Sequence, residues 1–243
     1  MSGLQQQFGQ IDIYLFYQLL RGRIAPGMRI LDAGCGHGRN LVYLLREGYE
    51  VFGTDADPAA IAAVHTLVAR LAPHLPLENF RAEPLEHMTF PDAFVDVVLS
   101  SAVLHFARDE DHFTAMLHGS WRILRPGGVF FCRLASSIGM ENRVRRLDGR
   151  RHQLPDGSER FLVDEPFLMQ RTRELGGTLL DACTIRPSEQ RALPAAGEYN
   201  AMVCGEPARI TLQNAQAGML LRLDHPARCE TLSHNQIVVA FDS

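Results

Sequence analysis

Ile30-Leu31-Asp32-Ala33-Gly34-Cys35-Gly36-His37-Gly38-Arg39-Asn40 is the stretch whose reading decides the fold. The apolar run Met28 to Leu31 follows the loop-like Ala25-Pro26-Gly27 and reads as a short buried strand. It ends in an acid and three glycines at alternate positions, after which Leu41, Leu44 and Leu45 begin a helical spacing. Strand, glycine turn and helix make half of a βαβ unit. Ligands of open parallel sheets bind at such turns, where glycine lets backbone approach ligand.

The glycine spacing selects the ligand. Dinucleotide sites use G-x-G-x-x-G and set a pyrophosphate on the helix N-terminus. Here the spacing is G-x-G-x-G, with Asp32 two residues before the first glycine. A carboxylate there repels a pyrophosphate and suits a cationic ligand or one bearing an amino group. S-adenosylmethionine has an α-amino group, a sulfonium and no phosphate. A second strand, Val51-Phe52-Gly53-Thr54-Asp55, ends in an acid 23 residues after Asp32. Such folds place a ribose-reading carboxylate at that position.

Asp32-x-Gly34-x-Gly36-x-Gly38 followed by Asp55 resembles the class I S-adenosylmethionine-dependent methyltransferases. Cys35-Gly-His-Gly-Arg-Asn40 is similar to a branch that includes the tellurite-resistance methyltransferases among other small-molecule enzymes. The phrase Trp121-Arg-Ile-Leu-Arg-Pro-Gly-Gly-Val-Phe-Phe resembles the family's entry into its fifth strand, so the likeness runs in order over residues 28 to 135. It implies an α/β, doubly wound, mostly parallel sheet of the seven-stranded, Rossmann-like methyltransferase type, with helices on both faces. It also implies S-adenosylmethionine as cofactor, held by Asp32, Gly34, Cys35, Gly36, Asp55 and Ala56. Ala82 and Glu83 match the adenine-contacting places after the third strand, and Ser100 and Ser101 match the segment beside the methionine part. His105 lies where a general base sits, against the plainer reading of a packing histidine. Glu83 has its own plainer reading, a solvated loop acid. Cys35 reads as a small turn residue rather than a nucleophile, because the negative charge of Asp32 disfavours a thiolate.

Composition narrows the class. The chain has 243 residues, enough for one large domain with a substantial core. A formal charge of -4 exerts no general pull on nucleic acid or anionic membrane. No run of 18 apolar residues occurs and no signal-like N-terminus is visible, so a cytoplasmic protein is expected. Five scattered cysteines without C-x-x-C suggest neither a disulfide framework nor a metal site. All 24 basic residues are arginine, which removes lysine Schiff-base chemistry and a P-loop lysine together.

The remaining elements follow in order. Residues 8–24 carry Ile13, Phe16, Tyr17, Leu20 and Ile24 at helical spacing, which reads as one helix packed on the sheet edge or, as the family often has it, a lid over the cofactor. Asp57-Pro58 starts a helix running to about Leu71. Leu77 to Arg81 reads as a third strand, Phe94 to Ser100 as a buried fourth and Val129 to Leu134 as a fifth. Between the last two, Asp109 to Leu124 is a helix presenting Phe113, Met116, Leu117, Ser120 and Leu124 inward. Residues 136–163 read as irregular and polar, with Arg143, Arg145, Arg146, Arg150 and Arg151 within nine residues and a turn at Pro155-Asp156-Gly157-Ser158. This segment is either a solvated charged loop or an arginine fork for an anionic acceptor. No aromatics interleave for base stacking, which disfavours nucleic acid. Asp164 to Leu175 is a helix stopped by Gly176-Gly177, and Thr178 to Arg186 is a candidate sixth strand.

A first unit is expected over residues 1–181. Residues 182–243 read as further sheet strands, as an atypical extension or as the product of a shifted reading frame, with Ala201 to Cys204, Arg209 to Leu212, Met219 to Leu223 and Gln236 to Phe241 weakly patterned as strands. Three functional classes stand at this point: a small-molecule methyltransferase, a non-catalytic S-adenosylmethionine-binding module, and a nicotinamide-dependent oxidoreductase. The last fails on glycine spacing and on Asp32.

Overall fold

The computed structural model describes residues 3–140, 142–180, 184–187, 197–203, 206–215, 218–224 and 235–242. Cys183, Cys204, Cys229 and the segment Pro194 to Ala196 lie outside them, as does the middle of the expected sixth strand. Among the described residues, no helix is long and apolar enough to cross a membrane.

Five strands make the parallel body of the main sheet: β1 (Arg29–Ala33), β2 (Glu50–Asp55), β3 (Phe80–Ala82), β4 (Val95–Ser101) and β5 (Leu124–Ala135). With β9 (Thr178–Leu179), β10 (Thr184–Pro187) and β14 (Asn235–Asp242), the order is β10-β14-β5-β4-β1-β2-β3, and β9 pairs β14. The chain reverses direction beside β1, which leaves a crevice at the carboxyl ends of β1 and β4. β14 runs antiparallel to β5 from Gln236 opposite Ala135 to Asp242 opposite Val129. The late strand expected at Gln236 to Phe241 therefore lies within the main sheet, and the expected boundary at 181 falls between two strands of that sheet.

Alternation along the strands feeds two cores, as a sheet covered on both faces requires. Ile30, Val51, Val97, Leu99 and Phe131 pack with Leu44 and Leu45 of α3 (Leu41–Arg46) and with Ile61 and Val64 of α4 (Pro58–Leu71). Leu31, Phe52, Val98 and Phe130 pack on the other side with Phe113 and Leu117 of α5 (Glu110–Ile123) and Phe167 of α6 (Glu165–Glu174). Every residue of β4 is buried. Asp57, Asp109 and Asp164 cap their helices through carboxylate acceptance of the N–H groups of Ala59, His112 and Phe167.

Three expectations are corrected. The single helix over 8–24 is two, α1 (Gly3–Phe8) and α2 (Ile13–Leu20), separated by Gly9 at φ +64 and by Asp12, whose carboxylate caps α2. That break turns the second helix: Leu15 and Gln18 face inward, while Ile13 and Leu20 are 66% and 69% exposed. Phe16 packs instead on Phe8, which stacks on Tyr43. The third strand begins only at Phe80, because Leu77–Asn79 after Pro76 winds into a 3-10 turn. The irregular stretch contains a three-stranded antiparallel meander, β6 (Arg145–Asp148), β7 (Arg151–Gln153) and β8 (Glu159–Phe161). Its strands are too short to show alternation. Its turns are signalled by Gly149 at φ +50 and Gly157 at φ +83, the second braced by Asp156 accepting from Ser158. Further along, β11 (Gly197–Val203), β12 (Glu206–Ala215) and β13 (Gly218–Asp224) form a second antiparallel sheet of three.

Candidate functional site

A cleft of about 720 Å³ opens where β1, β2 and β4 end, within the usual range for a small-ligand site. Its floor is the glycine turn. Gly34 and Cys35 both donate their N–H groups to Thr54 O at 2.8 Å, fastening the turn to β2. Gly34 sits at φ +81, and a Cβ there would meet Val103 Cγ2 at 2.4 Å, so no other residue fits. Gly36, at φ +50, faces open space instead: its missing Cβ leaves room for a ligand rather than for protein. Ala102, a non-glycine at φ +67, turns the chain after β4 and brings Val103 under Gly34. A left-handed alanine costs roughly 1–3 kcal/mol, a strain often found at functional sites.

At the ribose position, Asp55 accepts from Gly36 N–H at 2.8 Å and from Asp57 N–H at 2.9 Å. One carboxylate oxygen is thereby fixed to the turn and the other to the start of α4, and both retain acceptor capacity toward the cleft. Ala56 lines the wall beside it.

Asp32 lies beneath the turn, 1% exposed, and neither of its carboxylate oxygens has a hydrogen-bond partner among the described residues. Burial raises its pKa to about 7; Arg39 opposes the rise, while the charges of Asp55 and Asp12 add to it. Ser100 Oγ is likewise buried without a partner. Burial and the neighbouring Asp32 and Asp55 push the Cys35 thiol up, away from the nucleophilic form.

Sequence reasoning missed a buried polar hub at the neighbouring end of the cleft. Asp12, from the turn between α1 and α2, accepts from Ser101 Oγ at 2.8 Å and pairs with Arg133 Nε at 2.5 Å. Its backbone N–H donates to Asn40 Oδ1, and Arg39 Nη2 donates to Ser101 Oγ at 3.0 Å. One residue thus ties the N-terminal segment to the glycine turn, β4 and β5. Two signals point to it: an acid interrupting a helical run just before Ile13, and Arg133 as the lone charge inside an apolar strand.

The expected adenine contacts shift along the chain. Ala82 and Glu83 do not line the cleft; Glu83 accepts from Thr89 N–H and Oγ1 on the surface. Pro84, Leu85 and Glu86 line it instead. Gly119 permits this, since a Cβ there would sit 2.1 Å from Leu85 O and hold the loop off α5. His112 Nδ1 accepts from Arg108 N–H, so Nε2 carries the proton and donates to Glu86 Oε1 at 3.1 Å. Burial alone would raise the Glu86 carboxyl, but backbone and His112 hydrogen bonds outweigh it and hold the pKa below the ordinary value.

His105 does not line the cleft. It is 6% exposed, packs on Phe106, and accepts from Ala135 N–H through Nδ1 at 3.3 Å. Burial lowers its pKa to about 3, and Arg160 and Arg133 push the same way. The arginines singled out as an anion fork mostly have partners within the meander: Arg145 on Gln153, Arg146 on Gly149 O, Arg150 on Asp164, Arg151 on Glu159. Arg160 is placed differently, its guanidinium 4.7 Å over the ring of Phe106, which does line the cleft.

A β1–turn–helix unit with a G-x-G-x-G turn, a buried acid before it and a carboxylate fixed at the end of β2 defines the Rossmann-like methyltransferase fold. Residues 31–132 match the methyltransferase domain family. The chain belongs to the class I S-adenosylmethionine-dependent methyltransferases. A relative in Mycolicibacterium smegmatis named "Probable S-adenosylmethionine-dependent methyltransferase" is 33% identical over 164 residues, covering 68% of this chain and 52% of the relative. A ubiquinone biosynthesis O-methyltransferase of Chelativorans is 28% identical over 196 residues, 74% of this chain and 72% of the relative. The chain spans about half the length of the first curated relatives it matches. Among solved structures, the 1,6-didemethyltoxoflavin-N1-methyltransferase of Burkholderia thailandensis, which holds 1,6-didemethyltoxoflavin and S-adenosylhomocysteine, shares the fold. Its TM-score is 0.57 at 18% identity, over 99% of this chain and 81% of that one.

The family's cofactor is S-adenosylmethionine, and the residues present suit it. Gly36 leaves a cradle where a Cβ would stand, and the two orphaned oxygens of Asp32 call for a cationic partner. Nothing in the cleft's donor set is specific for a phosphate.

Proposed function

We propose that this chain transfers a methyl group from S-adenosylmethionine to a small-molecule acceptor by in-line displacement. The observation that carries the proposal is the pairing of an open glycine cradle at Gly36 with the Asp55 carboxylate fixed beside it. When bound, S-adenosylmethionine supplies a methyl carbon on a sulfonium leaving group. Asp55 accepts from the ribose hydroxyls. Glu86, oriented by His112, accepts from the adenine amine, and Ala56 and Leu85 pack the base. The walls formed by Val103, Phe106 and Met116 exclude water. Holding donor and acceptor in line at near-attack distance supplies roughly 7–11 kcal/mol of the barrier.

On the acceptor side, Phe106 offers a ring face, and Arg160 offers a positive charge beside it. This supports an anionic acceptor. An acceptor that arrives ionised needs no proton removed in the transition state, consistent with the placement of His105 behind the cleft wall. Its role in this reading is to receive the Ala135 N–H and pack on Phe106. The test is incubation of the full chain with methyl-labelled S-adenosylmethionine and a panel of small phenols and carboxylic acids. Label in an acceptor, matched by S-adenosylhomocysteine formed, supports the proposal. Cofactor binding without turnover across the panel favours a non-catalytic cofactor-binding module.

A further inference from the structure

The hub around Asp12 leaves a charge imbalance at one end of the cleft. Arg133 is paired with Asp12 at 2.5 Å, so Asp12 is already engaged when Arg39 approaches it at only 3.8 Å. Among the described residues, Arg39 has one hydrogen bond, from Nη2 to Ser101 Oγ; its Nε and Nη1 have none. Its side chain is 43% exposed and lines the cleft. Asp32 shows the opposite defect. It lies just beneath Gly34 and Cys35, both of which line the cleft, with two carboxylate oxygens buried and unpartnered. A buried carboxylate without a counter-charge or donor keeps its proton. The groups facing it are Arg39 and Cys35 from the turn, Asp55 from β2 and Asp12 from the N-terminal segment. Two of these are acids that disfavour a second negative charge, and one is a cation.

One kind of ligand group corrects both defects together: an α-amino acid zwitterion. We infer that Arg39 and Asp32 form a clamp for the amino-acid end of the cofactor, Arg39 taking the carboxylate and Asp32 supplying the negative charge for the ammonium. The Asp32 O–H bond breaks as the ammonium arrives. The proton leaves to solvent, and the new carboxylate faces the cationic nitrogen. Asp12 is a positioning residue, since it holds Ser101, which in turn holds Arg39 Nη2. The clamp is assembled from neutral or surplus groups and becomes charge-balanced only when filled. This inference rests on the methyltransferase reading and assigns residues to one end of that site.

The test compares three ligands by calorimetry on the full chain at pH 6, each in two buffers of different ionisation enthalpy. They are S-adenosylhomocysteine, its decarboxylated amine analogue, and 5′-methylthioadenosine, which lacks the amino acid. The expected result is at least tenfold tighter binding of S-adenosylhomocysteine than of the decarboxylated analogue. Its heat of binding should differ between buffers by the amount due to close to one proton released. Arg39→Gln should abolish the preference for the carboxylate, and Asp32→Asn should abolish the proton release. The wild-type comparisons stand even if a variant fails to fold. Equal affinity for the two amino-bearing ligands, or a heat independent of buffer, overturns the clamp while leaving the methyltransferase reading intact. Failure of all three nucleosides to bind a folded chain overturns both.

Discussion

At the scale of single residues, the site is built from groups that fold poorly by themselves. Asp32 has a folded pKa of about 7 against an unfolded value of 3.8. Between those values the native state holds a proton that the unfolded chain has lost. Stability of the ligand-free protein is therefore highest in acid and falls as pH rises through about 7, by on the order of 4 kcal/mol in all. Asp32→Asn should raise the melting temperature of the ligand-free chain more at pH 8 than at pH 5. Equal melting temperatures of variant and wild type at both values would show that the carboxyl is solvated. His105 works in the opposite sense. Its pKa is depressed from 6.5 to about 3, so its contribution is complete above 6.5 and is lost as pH falls through that window. His105→Gln, whose side-chain oxygen can accept from Ala135 N–H, should flatten this acid limb in urea titrations at pH 4 to 7. A general base at this position would instead show a rate loss of about 10²–10⁴ on substitution.

At the scale of elements, what is legible in the sequence is what sterics write into it. Gly34 is a glycine because Val103 occupies the space of its Cβ, and such demands leave a readable pattern. Helix starts at Asp57, Asp109 and Asp164 are readable for the same local reason: the capping acid and the N–H it serves lie within three residues. The Asp12 hub is not local, since Asp12 and Ser101 are 89 residues apart and meet only after the N-terminal segment docks. Glu86 replaces Glu83 at the cleft because α5 approaches Leu85 through Gly119, a contact no spacing rule reveals. Asp12→Ala removes the cap of α2 and leaves Arg133 without its carboxylate, the two side chains being 2% and 16% exposed. Breaking such a pair costs about 3–5 kcal/mol. Urea denaturation should show that loss; a change below about 1 kcal/mol would mark it as equivalent to a surface pair.

At the scale of the whole molecule, the sheet is completed by a strand that arrives about a hundred residues after its neighbour β5 ends, as the registry of Gln236 to Asp242 on Val129 to Ala135 requires. Order along the chain says little about such a partner, which is why the parallel body is readable from sequence and its antiparallel edge only weakly so. A chain ended at residue 181 would leave the β5 edge open, an invitation to intermolecular pairing. It should self-associate in gel filtration and lose its cooperative thermal transition; a monomer with intact cooperativity would show that the body stands without β14. The central claim concerns the crevice that this sheet creates, and calorimetric titration of the full chain with S-adenosylhomocysteine tests it most directly. Saturable binding is predicted, weakened at least tenfold in Asp55→Ala, because hydrogen bonds to a charged acceptor contribute about 1.5–3 kcal/mol each. Absence of binding by a folded chain, or equal affinity in Asp55→Ala, would contradict the account.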